Sequence, residues 1–132
     1  MATIKKRRRP KRYKTGTYVS TKTGQEIKFR SGWEHSFAQY LDKDPSVVTY
    51  VYEGVIISYM TNLRSGRLRK YYPDFYVERV DGTKLLIEIK PKRYAPRGVN
   101  QKKWEAARQW CAEHDSEFMV LTEDELRQMA VI

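Results

Sequence analysis

The apolar positions change period several times along the chain, and each change marks an element. Between Tyr18 and Phe29 they alternate loosely around Thr23-Gly24, which predicts a weak hairpin or an extended lead-in. Ser31-Gly32-Trp33-Glu34 then fits the S-x-x-E capping box. Trp33, Phe37, Tyr40 and Leu41 follow at helical spacing until Asp44-Pro45 ends the helix. Val47 to Tyr52 and Val55 to Met60 are rich in β-branched and aromatic residues and read as strands, followed by a basic loop from Asn62 to Arg69. Two further strands, Lys70 to Arg79 and Thr83 to Lys90, face each other across Val80-Asp81-Gly82. After a loop from Pro91 to Gly98, Asn100 caps a helix running to about Glu113, with Trp104, Ala107 and Cys111 on one face. Glu117 to Leu121 is a short strand, and Thr122 with Glu125 forms a second capping box for a last helix. This order of helix, strands, helix, strand and helix predicts an α/β sandwich, a mixed β-sheet flanked by helices.

The turn at Val80-Asp81-Gly82 sets a register. A two-residue Asp81-Gly82 turn pairs Val80 with Thr83 and sets Asp74 opposite Ile89. A three-residue loop pairs Arg79 with Thr83 instead, which puts Asp74 opposite Glu88, Phe75 opposite Ile87 and Val77 opposite Leu85. That register collects the apolar residues on one face, and Gly82 suits the left-handed position such a loop requires. The three-residue form is the expectation.

Composition narrows the function classes. A single cysteine, Cys111, excludes an intrachain disulfide, and with only two histidines, His35 and His114, beside it a structural zinc site has no ligand set. No secretory segment is recognisable, and no apolar run approaches the roughly 20 residues of a membrane span. The expectation is a cytoplasmic protein with no membrane association. The net charge of +10 is unevenly distributed. Residues 1–14 contain Lys5, Lys6, Arg7, Arg8, Arg9, Lys11, Arg12 and Lys14 and no acidic residue, so the other 18 basic residues face 16 acidic ones and nearly balance. A run of this kind repels itself and buries nothing apolar, which predicts a disordered basic arm over 1–14 ahead of a single domain over 15–132. Phosphate neutralisation makes nucleic acid the expected partner, with Lys92, Arg93 and Arg97 of the later loop as further contacts. A solubilising tail or a localisation signal is the plainer reading of the arm.

The chemistry-bearing stretch is Tyr72-Pro73-Asp74-Phe75, then Leu86-Ile87-Glu88-Ile89-Lys90. Side chains alternate along a strand, so Glu88 and Lys90 leave the same face while Leu85, Ile87 and Ile89 leave the other. A carboxylate and an ammonium aimed together from a central strand are costly unless something uses them. Metal-assisted phosphodiester cleavage does. Asp74, Glu88 and the Ile89 carbonyl supply the oxygen ligands that Mg2+ requires, with Mn2+ expected to substitute, and Lys90 orients or deprotonates the attacking water or stabilises developing charge. Glu34 has two readings, as the capping partner of Ser31 or as a further metal-site carboxylate bordering the buried stripe. Trp33, Phe37, Trp104 and Trp110 are expected in the core. Tyr71, Tyr72 and Tyr76 fit either core or site, while Glu53 and Asp81 are expected to be surface and turn residues.

The string from Arg30-Ser31-Gly32-Trp33-Glu34 through Tyr72-Pro73-Asp74-Phe75 to Leu86-Ile87-Glu88-Ile89-Lys90-Pro91 resembles the PD-(D/E)xK, or restriction-endonuclease-like, nuclease superfamily. Within it the chain is similar to tailed-phage head-completion nucleases and to TnsA-type transposon endonucleases. Lys103-Trp104-Glu105-Ala106-Ala107 and Leu121-Thr122-Glu123 extend the resemblance, which spans roughly residues 17 to 130. It implies a restriction-endonuclease-like core, a metal site at Asp74 and Glu88, a catalytic Lys90 and a first-helix glutamate at Glu34. It also implies Mg2+-dependent endonuclease action on DNA in phage packaging or head completion, in the host cytoplasm or a virion, with phage head or neck proteins as partners. The alternative is a nuclease-fold structural DNA-binding component of a head-neck assembly. An RNA-binding protein is disfavoured because no RNP-like or KH-like string is present.

Overall fold

In the computed structural model, which describes residues 15–62 and 64–132, the lead-in is a hairpin of β1 (Gly16–Val19) and β2 (Glu26–Phe29). Helix α1 (Gly32–Lys43) follows, with Ser31 as its N-cap and Asp44 at its C-terminus. The main sheet is four-stranded in the order β3 (Val47–Tyr52), β6 (Phe75–Arg79), β7 (Lys84–Ile89), β8 (Glu117–Leu121). β3, β6 and β7 are antiparallel neighbours, whereas β8 runs parallel to β7, so the sheet is mixed. A parallel neighbour needs a crossover, and helix α2 (Gly98–Glu113) supplies it. A short helix α3 (Glu123–Gln128) closes the order, held by the complete Thr122–Glu125 capping box that its sequence predicts.

The predicted α/β architecture is observed, with two local corrections. The expected continuous strand from Lys70 to Arg79 is divided at Tyr72-Pro73-Asp74. Its first two residues end β5 (Arg67–Tyr71), which takes Arg67 to Arg69 from the expected basic loop and pairs with β4 (Ile57–Asn62) in a separate two-stranded ribbon. Pro73 has no N–H for a sheet ladder, so the chain changes sheets there. Asn100 does not cap α2: the helix starts at Gly98, and buried Asn100 donates from Nδ2 to the Tyr94 carbonyl at 2.6 Å.

Each face of the main sheet packs its own cluster. Leu85, Ile87 and Ile89, with Phe75 and Val77, meet Phe37, Ala38 and Leu41 of α1 and Leu126 of α3. Leu86, on the opposite face of β7, meets Trp104, Ala107 and Cys111 of α2 together with Ile57, Tyr59 and Tyr71 of the ribbon. Phe37 and Trp104 are core as expected, whereas Trp33 and Trp110 are half-buried at its margins. No helix among the described residues is long and apolar enough to cross a membrane. The basic arm and its eight predicted phosphate contacts, Lys5 to Lys14, lie outside the described residues.

Candidate active site

The register between β6 and β7 decides which acidic residues meet. Phe75 stands opposite Ile87 and Val77 opposite Leu85, and Arg79 N donates to Thr83 O at 2.9 Å. The three-residue loop is therefore the observed form, with Gly82 at φ +86° in the left-handed region. Asp81 keeps its turn role, its Oδ1 accepting from the Thr83 N–H at 2.9 Å. Where the ladder ends, the Asp74 side chain takes over as acceptor: Ile89 N donates to Asp74 Oδ2 at 2.7 Å. Asp74 and Glu88 thus stand side by side at the end of two adjacent strands.

Glu34 joins them from α1. Ser31 Oγ accepts from the Glu34 N–H at 3.1 Å, so half of the capping box is present. The Glu34 carboxylate does not close the other half on the backbone. It accepts from the Ser31 hydroxyl at 2.9 Å and from the Tyr52 hydroxyl. Burial, and then the hydrogen bond to Glu34, push the Tyr52 hydroxyl well above its ordinary pKa, so it remains a donor at neutral pH. Glu34, Asp74 and Glu88 are only 8 %, 9 % and 5 % exposed, and all three line one cleft together with Ile89 and Lys90. Lys90 has no side-chain hydrogen bond or ion pair among the described residues.

Crowding of carboxylates has an electrostatic consequence. Asp74 is raised well above the ordinary carboxylate range, first by burial and then by the charges of Glu88 and Glu34. Burial and neighbouring negative charge both oppose the ionisation of the site's own aspartate. The site's donors are hard oxygens, a set that fits a divalent cation such as Mg2+.

Glu53 was expected to be an ordinary surface residue and is more than that. It follows β3, donates from its N–H to the Asp74 carbonyl at 2.9 Å, and adopts φ +52°. Its carboxylate pairs with Arg30, and Glu34, Glu53 and Asp74 each place a carboxylate oxygen within 4.8 Å of the others. Only the pairing of β3 with β6, distant in sequence, brings it there, and no local motif signals it.

The basic residues divide as well. Arg93 lines the main cleft with Lys70 and Lys103, and Arg97 lines an adjoining one with Lys90 and Lys103. Arg93 and Arg97 both stack on the Tyr94 ring, at 4.8 and 4.5 Å from its centroid. Lys92 is the exception: its ammonium pairs with Asp124 at 2.9 Å on the exposed surface. Lys70 and Lys103, absent from the sequence-based set, reach the cleft through β5 and the ribbon-packed face of α2. Tyr72 is exposed at the cleft, Tyr71 is buried, and Tyr76 is half-buried with its hydroxyl 2.8 Å from Ser116 Oγ.

Two comparisons with known proteins bear on this arrangement. Residues 44–123 match the family described as TnsA-like endonuclease N terminal. The matched span includes Asp74, Glu88 and Lys90 and leaves Glu34 outside. The chain is also 30 % identical over 127 residues to the head completion nuclease of Enterobacteria phage T4, covering 80 % of this chain and 84 % of that protein. Both likenesses named from the sequence, to head-completion nucleases and to TnsA-type endonucleases, are thus found. This chain belongs to the TnsA-like endonuclease family.

Proposed function

We propose that the protein is a Mg2+-dependent DNA endonuclease of PD-(D/E)xK type, formed by a single domain over residues 15–132. The observation that carries the reading is the convergence of Glu34 of α1, Asp74 just ahead of β6 and Glu88 of β7 beside Lys90 in one cleft. Asp74 and Glu88 would hold the cation, with Glu34 and the Ile89 carbonyl completing the protein's share of oxygen donors. When bound, the cation supplies Lewis-acid charge to the scissile phosphate and makes water more acidic.

The chain's own groups perform the rest. The Lys90 ammonium orients the attacking water and donates to the phosphate oxygens, where negative charge grows as water adds to phosphorus; the water's proton passes to solvent, and the leaving oxygen departs and takes a proton from solvent. The Ile89 N–H fixes the Asp74 carboxylate, and the Ser31 and Tyr52 hydroxyls fix that of Glu34. Preorganised ligands of this kind need no reorientation when substrate arrives. Lys70, Arg93, Lys103 and Arg97 neutralise DNA phosphates along the two clefts, and the basic residues of the arm add contacts of the same sequence-independent kind. Lys92, held by Asp124, contributes less.

The likeness to the T4 head completion nuclease supports a role in phage DNA packaging or head completion, with head or neck proteins as partners, in the host cytoplasm or virion. Incubating supercoiled plasmid with the protein under chelation, then restoring Mg2+ or Mn2+, tests the reading. Nicking that returns only with the metal is the expected result. Tight DNA binding without cleavage under any divalent metal would instead favour a structural DNA-binding role.

A further inference from the structure

We propose that Tyr71 is a positioning residue for Glu88, its hydroxyl and the neighbouring Trp104 indole N–H forming a donor pair that orients the Glu88 carboxylate for cation binding. The proposal rests on the reading of Asp74 and Glu88 as the metal site. Its basis is an imbalance in the second core cluster. Tyr71 and Trp104 are 5 % and 4 % exposed, yet among the described residues neither Tyr71 Oη nor Trp104 Nε1 has a hydrogen-bond partner. Two buried donors left unpaired oppose folding, and phenylalanine at position 71 would pack equally well. A hydroxyl retained there calls for an acceptor.

The acceptor at hand is Glu88. Leu86, which packs against Trp104 and Tyr71, sits two residues before Glu88 on the same face of β7, so the Glu88 carboxylate emerges beside that pair. Tyr71 lines the same cleft as Asp74 and Glu88. A phenol, with an ordinary pKa of about 10, is a protonated donor at neutral pH. Trp104 packs in the same core cluster as Tyr71 and Leu86. Carboxylates that hold metals commonly have such outer hydrogen bonds, which fix their orientation and whose loss weakens metal affinity or activity by about 10–100-fold. The Lys103 ammonium lies 5.5 Å from the Tyr71 ring centroid, a contact that phenylalanine would retain.

Tyr71→Phe isolates the hydroxyl. Mn2+ binding is read without DNA, from the loss of the free-ion EPR signal, beside thermal melting of the metal-free protein and the Mn2+ dependence of nicking. The expected result is a melting temperature at or above that of the wild type, with Mn2+ binding weakened about tenfold or more and the nicking curve displaced equally. Trp104→Phe is expected to shift the same two curves by a smaller factor, and it stands in if Tyr71→Phe fails to fold. Mn2+ affinity and nicking within twofold of the wild type, in whichever variant is folded, would overturn the proposal. Asp74→Asn is measured alongside. If it too binds Mn2+ like the wild type, the metal-site reading fails; if it alone loses binding, only the role given to Tyr71 fails.

Discussion

Under the proposed function Asp74 carries two opposed requirements: it stays in a buried, negatively charged corner, and it must be available to a cation. Its raised pKa means that the folded metal-free protein holds the Asp74 proton more tightly than the unfolded chain does. The sign follows: as pH rises from the unfolded value of about 3.9 through the folded one, ionising Asp74 costs the folded state, and stability falls. Asp74→Asn removes that cost while keeping an oxygen for the Ile89 N–H. The metal-free variant should therefore melt above the wild type at neutral pH, where about 1 kcal/mol corresponds to roughly 4 °C in a chain of this size. Added Mg2+ should raise the wild type and not the variant. A variant that melts below the wild type in chelator would contradict the electrostatic account. Glu88→Ala and Lys90→Ala should each abolish nicking with DNA binding retained. Glu34→Ala should be milder or equal, and a wild-type rate there would reduce Glu34 to its capping role.

At the scale of elements, two local devices hold the site in place. The loop at Val80-Asp81-Gly82 fixes the β6–β7 register, and among the described residues nothing lies within 4 Å of where a Cβ at Gly82 would stand. Gly82→Ala should therefore cost only backbone strain, about 1–2 kcal/mol in a denaturant titration, with the register and nicking intact. The second device ties the β1–β2 hairpin to α1 through Asp42. Its carboxylate accepts from Ser20 Oγ at 2.6 Å, Tyr50 Oη at 2.8 Å, the Thr21 N–H at 3.0 Å and the Tyr18 hydroxyl. Burial alone would raise Asp42, but these hydrogen bonds outweigh it and hold the pKa below the ordinary value. Its contribution is complete above the unfolded value of about 3.9 and is lost as pH falls through the lower folded value. Asp42→Ala should destabilise by about 2–3 kcal/mol at pH 7, and by less in strong acid; an equal loss at both would contradict the assignment.

Legibility followed the range of the interactions. The register, both helix N-termini built on Ser or Thr with a following Glu, and the pairing of Asp74 with Glu88 rest on residues close in sequence. The β4–β5 ribbon, the burial of Asn100 against Tyr94 and the recruitment of Glu53 depend on tertiary contacts that no local pattern encodes.

At the scale of the whole molecule, the excess charge lies in residues 1–14 while the proposed active site lies within residues 15–132. If the arm binds phosphates, deleting it should weaken binding to every duplex alike and remove roughly three to six units from the slope of log K against log salt. An unchanged slope would direct the arm to an acidic protein surface instead. Cleavage at saturating DNA should hardly change. The central claim is the identity of the site, and plasmid nicking in Mg2+ by the wild type and by Asp74→Asn, both shown to be folded and to bind DNA, tests it most directly. The account predicts nicking by the wild type and a rate at least about a hundredfold lower for the variant; equal rates would contradict it.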